Sequence, residues 1–87
     1  MPKIEIYSTA ICPYCVAAKN LLKSRGLDYQ ELRVDSDPSA RAAMLERSHG
    51  ARSVPQIFIN GEHVGGYEQL AEASHSGRLA ALIGASA

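Results

Sequence analysis

The chain has no tryptophan, one phenylalanine and only two cysteines among 87 residues. Two cysteines cannot staple a small fold in the manner of disulfide-dense secreted domains. An excess of charge is missing too, because nine Lys and Arg stand against nine Asp and Glu. That balance gives no electrostatic case for nucleic acid or an anionic membrane as partner. Apolar runs are only a few residues long, far short of the ~20 that span a bilayer. No basic start leads into an apolar stretch with a small-residue cleavage site, so a soluble, cytoplasmic protein is expected. Repeats, low-complexity tracts and Ser/Pro linkers are also lacking. One domain, residues 1–87, is therefore expected, and at this size it buries little more than ~60% of the surface its unfolded form exposes.

The residues that are present fall into short periodic segments. Ile4 and Ile6 alternate with Lys3, Glu5 and Tyr7, which predicts a strand near the N-terminus. Pro13 suits a first helical position, Ala17, Ala18, Leu21 and Leu22 make an apolar stripe, and Lys19, Lys23 and Arg25 crowd the far end. A helix over 13–25, closed by Gly26, follows. Leu32 and Val34 mark a second strand within 29–35. Asp37 before Pro38 is an N-cap, so a second helix runs over 38–48 with Ala40, Ala43, Met44 and Leu45 inward, and Gly50 ends it. Two strands, 56–59 and 62–64, flank Asn60-Gly61, the pair that best tolerates a tight hairpin turn. After Gly65-Gly66, Leu70, Ala71 and Ala73 predict a helix broken at Gly77, and Leu79, Leu82 and Ile83 a short terminal one. The class is α/β: two parallel strands joined by a crossover helix, plus an antiparallel hairpin, in one four-stranded mixed sheet flanked by helices.

Cys12-Pro13-Tyr14-Cys15 falls where the first strand gives way to the first helix. A cysteine at a helix N-terminus meets unpaired backbone N–H groups and the positive end of the helix dipole, which favour thiolate over thiol. Only the thiolate attacks sulfur, so Cys12 is expected to be exposed and reactive, and Cys15, one turn further in, to be more buried and to resolve the intermediate. Pro13 fixes φ and keeps the two sulfurs within bonding reach. A zinc site would need a second cysteine pair, and His49, His63 and His75 lack finger spacing, so no metal is expected. A purely structural disulfide would close only four residues and remove little chain entropy. Two inert core cysteines would have to land at a helix start, with Pro between them, by coincidence.

Two further segments bear on a ligand. Pro55 in Ser53-Val54-Pro55 opens the third strand, either trans at a strand edge or cis at a tight opening. A cis bond would turn the Val54 backbone outward to pair with an extended peptide. Gly65-Gly66 before Tyr67-Glu68 is either an ordinary turn or a place where a ligand carboxylate reaches a helix start. The three histidines are read as capping or solvated, Tyr7 and Tyr29 as packed on the sheet, and Arg33, Arg41, Arg47 and Arg52 as solvated, the last two placed to guide an anion.

Taken together, Cys12-Pro13-Tyr14-Cys15, Ser53-Val54-Pro55-Gln56-Ile57-Phe58-Ile59 and Gly65-Gly66 resemble the dithiol glutaredoxins of the small bacterial type. The tetrad matches that family's usual active site, the second segment its Thr-Val-Pro strand opening, and the glycines the pair before its third helix. The resemblance covers nearly the whole chain. Thioredoxin proper is less similar, being longer and carrying Trp-Cys-Gly-Pro-Cys. What the resemblance implies is a thioredoxin-like fold with Pro55 cis and a groove for glutathione. There the Val54 backbone pairs with the cysteinyl part, Tyr14 flanks it, and the N–H groups of Tyr67 and Glu68 hold the γ-glutamyl carboxylate. Ser53, Pro55, Gly66 and Gln69 complete that groove.

The same resemblance implies a glutathione-disulfide oxidoreductase with a redox-active disulfide, serving electron transport and cell redox homeostasis. Its co-substrate is glutathione, its partners are glutathionylated or disulfide-bonded proteins, and it is a monomer with no tightly bound cofactor. Two departures from the family pattern are visible. The lysine common before the first cysteine is absent from Ser8-Thr9-Ala10-Ile11, so glutathione binds more weakly or Arg52 or Arg47 substitutes. The acidic pair after the glycines is replaced by Tyr67-Glu68-Gln69. Rival functions are a homodimer sharing a glutathione-ligated iron–sulfur cluster through Cys12, and a dithiol donor reduced by thioredoxin reductase.

Overall fold

The computed structural model describes residues 2–84. In chain order these form β1 (Ile4–Ser8), α1 (Pro13–Ser24), β2 (Gln30–Arg33), α2 (Pro38–Arg47), β3 (Gln56–Ile59), β4 (Glu62–Gly65), α3 (Tyr67–Ser76) and α4 (Arg78–Gly84). The strands make one sheet in the order β2-β1-β3-β4, with β1 and β2 parallel and the other pairs antiparallel. This is the mixed α/β sheet the sequence predicts, with element ends within a residue or two.

Local signals act where they are expected to. Asp37 caps α2 by accepting from the N–H groups of Ser39 and Ala40 through Oδ1. The β3–β4 turn places Asn60 at φ 52° and Gly61 at φ 84°, the pair of positive values a two-residue hairpin requires. Asn60 also ties that turn to its surroundings: Lys3 N–H donates to its Oδ1 at 2.9 Å, and its Nδ2 donates to Leu82 O at 3.0 Å.

Alternation along β1 understates its burial, since all five residues are buried. β1 lies inside the sheet and helices cover both faces, so side chains on either side of the strand are enclosed. On one face Ile4, Ile6, Ile57, Ile59 and Val64 pack with Ala18 and Leu22 of α1, Leu70 and Ala73 of α3 and Leu79 of α4. On the other, Tyr7, Val34 and Phe58 pack with Ala40 and Met44 of α2. Ala43 and Leu45 are only partly buried, so the inner face of α2 is narrower than its sequence suggests.

That second face corrects the reading of Arg47. Instead of being solvated, its guanidinium donates to Glu5 Oε1 and to the Tyr7 hydroxyl, each at 2.9 Å, and stands 4.1 Å over the Phe58 ring. Glu5 needs this partner, because β1 carries its carboxylate under α2 and a buried charge without one is strongly unfavourable. Its hydrogen bond to Glu5 raises the Arg47 pKa, and the guanidinium is engaged on the α2 face of the sheet. Tyr7 and Tyr29 do pack on the sheet as expected.

Candidate active site

Parallel pairing of β1 and β2 brings the ends of both strands together, and the cysteine loop starts there. Val34 N–H donates to Ser8 O at 2.9 Å, and Asp35 Oδ2 accepts the N–H of Ala10 at 2.9 Å. Arg33 grips the same carboxylate with two bonds, of 2.9 and 2.8 Å, and holds its pKa well below the usual range. Asp35 therefore anchors the loop that presents the first cysteine. Sequence reading took it only as the end of a strand, and the available signal was its place at the C-terminal edge of a parallel pair.

Cys12 is the N-cap of α1, in extended geometry (φ −152°, ψ 100°), with Pro13 following it at the start of the helix. The N–H of Cys15 points at Cys12 Sγ over 3.1 Å. No acidic side chain stands in the first turn to offset the positive end of the helix. Cys12 and Cys15 are joined as a disulfide with Cα atoms 5.2 Å apart, inside the ordinary range for such bonds. Their exposures differ as the sequence predicts in direction: Cys15 is 1% exposed, whereas Cys12 is intermediate. On reduction, the Cys15 amide that now faces a bonded sulfur faces one able to carry charge.

Val54 O lies 3.8 Å from Cys12 Sγ, and the Val54–Pro55 bond is cis. Beside them runs a groove of about 240 Å³. Ser53, Val54 and Pro55 make one wall, Gly66, Tyr67, Glu68 and Gln69 the other, and Tyr14 stands at its rim. The structure thus brings all eight residues of the expected glutathione groove into one cavity next to the sulfur. Tyr14 and Tyr67 approach across it with ring centres 6.2 Å apart. The second wall is the start of α3, whose first N–H groups have no acceptor within the helix.

Gln69 has a task the sequence reading did not give it: its Oε1 accepts the Gly66 N–H at 2.9 Å, closing the helix start. His63 is likewise not a solvated bystander. Its ring stacks on Phe58 at 4.8 Å and its Nε2 meets Gln56 Oε1 at 2.6 Å, while burial lowers its pKa. His49 and His75 are both exposed. Arg52 is exposed beside Ser53. Exposed large apolar side chains also gather here: Ile11 is 93% exposed, Tyr14 63% and Val16 50%.

Known proteins resemble this chain over nearly its whole length. A profile of the glutaredoxin family matches residues 4–64. A glutaredoxin of Pseudomonas aeruginosa is 47% identical over 98% of this chain and all of its own length. Glutaredoxin 3 of Escherichia coli K12 is 43% identical over 95% of this chain and 99% of its own. Among solved structures, a Brucella melitensis glutaredoxin superimposes with a TM-score of 0.78 at 40% identity, covering 93% of this chain and 87% of that one. A buckwheat glutaredoxin–glutathione complex gives 0.83 at 29% identity, covering 94% and 76%. A mixed sheet of this order, a cysteine pair at the first helix start and 43–47% identity to named members over nearly the whole chain leave one conclusion: the chain belongs to the glutaredoxin family, with a thioredoxin-like fold and the activity of a glutathione-dependent thiol–disulfide oxidoreductase.

Proposed function

We propose that Cys12 is the nucleophile and Cys15 the resolving thiol in the reduction of glutathionylated proteins and protein disulfides. The observation that carries this reading is the Cys15 N–H aimed at Cys12 Sγ over 3.1 Å at the N-cap of α1. A backbone donor there, with the helix dipole behind it, favours the anionic sulfur. Attack by Cys12 thiolate on the glutathione sulfur of a mixed disulfide forms a Cys12–glutathione bond and expels the substrate thiolate, which takes a proton from solvent. A second glutathione thiolate then attacks the bound glutathione sulfur, giving oxidised glutathione and restoring Cys12 thiolate. With a protein disulfide, Cys12 forms the mixed disulfide and Cys15 displaces it. The product then leaves as thiol and the Cys12–Cys15 disulfide remains.

Glutathione lies in the groove between Val54 and the start of α3. Support for this comes from the position of the cavity beside Sγ and from the buckwheat relative, which is solved as a glutathione complex. The cysteinyl backbone pairs with Val54, and the γ-glutamyl carboxylate meets the N–H groups of Tyr67 and Glu68, where the helix dipole favours an anion. With Arg47 committed to Glu5, the glycyl carboxylate is left to Arg52. The reading further takes the protein as a cytoplasmic monomer without a tightly bound cofactor; no described helix is long and apolar enough to cross a membrane.

Two variants test the division of labour. Cys12→Ser abolishes turnover of a glutathionylated peptide and of a protein disulfide. Cys15→Ser keeps the first and loses the second. Full activity in Cys12→Ser overturns the scheme.

A further inference from the structure

A chain of side-chain hydrogen bonds reaches the groove from the α2 face of the sheet. Gln56 is 4% exposed. Its Nε2 donates to Ser53 O at 3.0 Å and stands 3.3 Å from Ser53 Oγ, while its Oε1 meets His63 Nε2 at 2.6 Å. The direction of donation follows from chemistry. A backbone carbonyl can only accept, so the amide nitrogen of Gln56 faces Ser53 O and its oxygen faces His63, whose Nε2 must then carry the proton. The opposite tautomer would set a ring lone pair against Oε1, and flipping the amide to relieve it would set Oε1 against Ser53 O. His63 is itself held between strands by its stacking on Phe58, whose ring also carries the Arg47 guanidinium at 4.1 Å.

Ser53 O belongs to the peptide plane that ends in the Val54 N–H. In a trans peptide the C=O and N–H point in opposite directions, and Val54–Pro55 is the only cis bond among the described residues. A donor that draws Ser53 O toward Gln56 therefore turns the Val54 N–H the other way, away from the β3 side chains. We propose that His63 and Gln56 are positioning residues: through Ser53 they fix the orientation of the Val54 N–H that pairs with the cysteinyl backbone of glutathione. The proposal rests on the glutathione groove described above and extends it to two residues outside the groove.

The test uses the full-length reduced protein and a glutathionylated peptide. His63→Phe keeps the ring on Phe58 and removes the donor; Gln56→Leu keeps the volume and removes the bonds to Ser53 and His63; His63→Gln restores a donor at the Nε2 position. One hydrogen bond in the range of ~0.5–1.5 kcal/mol corresponds to a roughly two- to tenfold effect. His63→Phe and Gln56→Leu should raise the KM for the glutathionylated peptide by that factor, leave iodoacetamide labelling of Cys12 within twofold of the parent, and be rescued by His63→Gln in the first case. A merely structural role predicts no such split between KM and sulfur reactivity. The amide resonance of Val54 gives a second reading without glutathione. It should shift in His63→Phe and return in His63→Gln. An unmoved Val54 resonance, or an unchanged KM in both loss variants, overturns the relay. If the parent's Val54 resonance does not respond to glutathione while the free-protein shift in His63→Phe persists, the relay stands as a loop-orienting device and the groove assignment fails instead.

Discussion

Gly65 joins β4 to the helix that forms the second wall of the groove, and replacing it with alanine isolates what that corner requires. Its φ of +123° is a conformation that side-chain-bearing residues rarely adopt, and a residue held there costs about 1–3 kcal/mol. A Cβ at this position would also lie 2.9 Å from Gln69 Cγ, 3.0 Å from its Cβ and 3.2 Å from its Oε1. Gln69 cannot keep its place, so its bond to the Gly66 N–H is lost as well, at about 0.5–1.5 kcal/mol. Gly65→Ala should therefore destabilise the fold by about 2–4 kcal/mol, a large share of the ~5–15 kcal/mol a domain of this kind possesses. Urea denaturation of the reduced protein measures it, with a lower midpoint and an unchanged slope. Gln69→Ala should lose only the cap, and the double variant should lose less than the sum, because part of the clash goes with the side chain. Turnover should show a raised KM for glutathionylated substrate, since the Tyr67 and Glu68 N–H groups move with the helix start. A Gly65→Ala loss below about 0.5 kcal/mol would refute the reasoning.

Two other outcomes follow from the α2 face of the sheet. Arg47→Ala strands Glu5 under α2 and uncovers the Phe58 ring, so stability should fall by about 2–3 kcal/mol with no change in KM for glutathione; a raised KM at unchanged stability would return Arg47 to the groove. His63 has its pKa lowered chiefly by burial and then by His49 and Arg47, so the unfolded chain takes up this proton more readily than the folded one. Its effect on stability is absent above the unfolded value near ~6.5 and grows as pH falls below it, until the folded form is also protonated. His63→Gln should flatten that part of the urea midpoint profile on acidification, and an unaltered profile would contradict the assignment.

The contrast between what the sequence discloses and what it conceals has a physical pattern. Cys12, Pro13 and Cys15 were legible because a helix start is a local feature whose electrostatics depend on few neighbours. Asn60-Gly61 was legible because the turn demands positive φ twice in succession. The eight groove residues came from the family resemblance; in the fold they line one cavity, in which Val54 O lies 3.8 Å from Cys12 Sγ. Arg47, Gln56 and His63 were misread or passed over because their roles depend on which strands lie inside the sheet and on a helix covering its second face. A period of two along β1 looks the same whether Glu5 faces water or the underside of α2. Asp35 was hidden for a related reason, since its partner Ala10 is 25 residues away in sequence and meets it only through strand pairing.

The most direct test of the central claim is the pH dependence of iodoacetamide labelling at each sulfur of the reduced protein, resolved by peptide mass analysis. The Cys15 amide directed at Cys12 Sγ predicts that Cys12 labels rapidly at neutral pH and keeps its rate well into the mildly acidic range, with Cys15 far slower throughout. Labelling of Cys12 no faster than that of a free peptide thiol at the same pH would contradict the account.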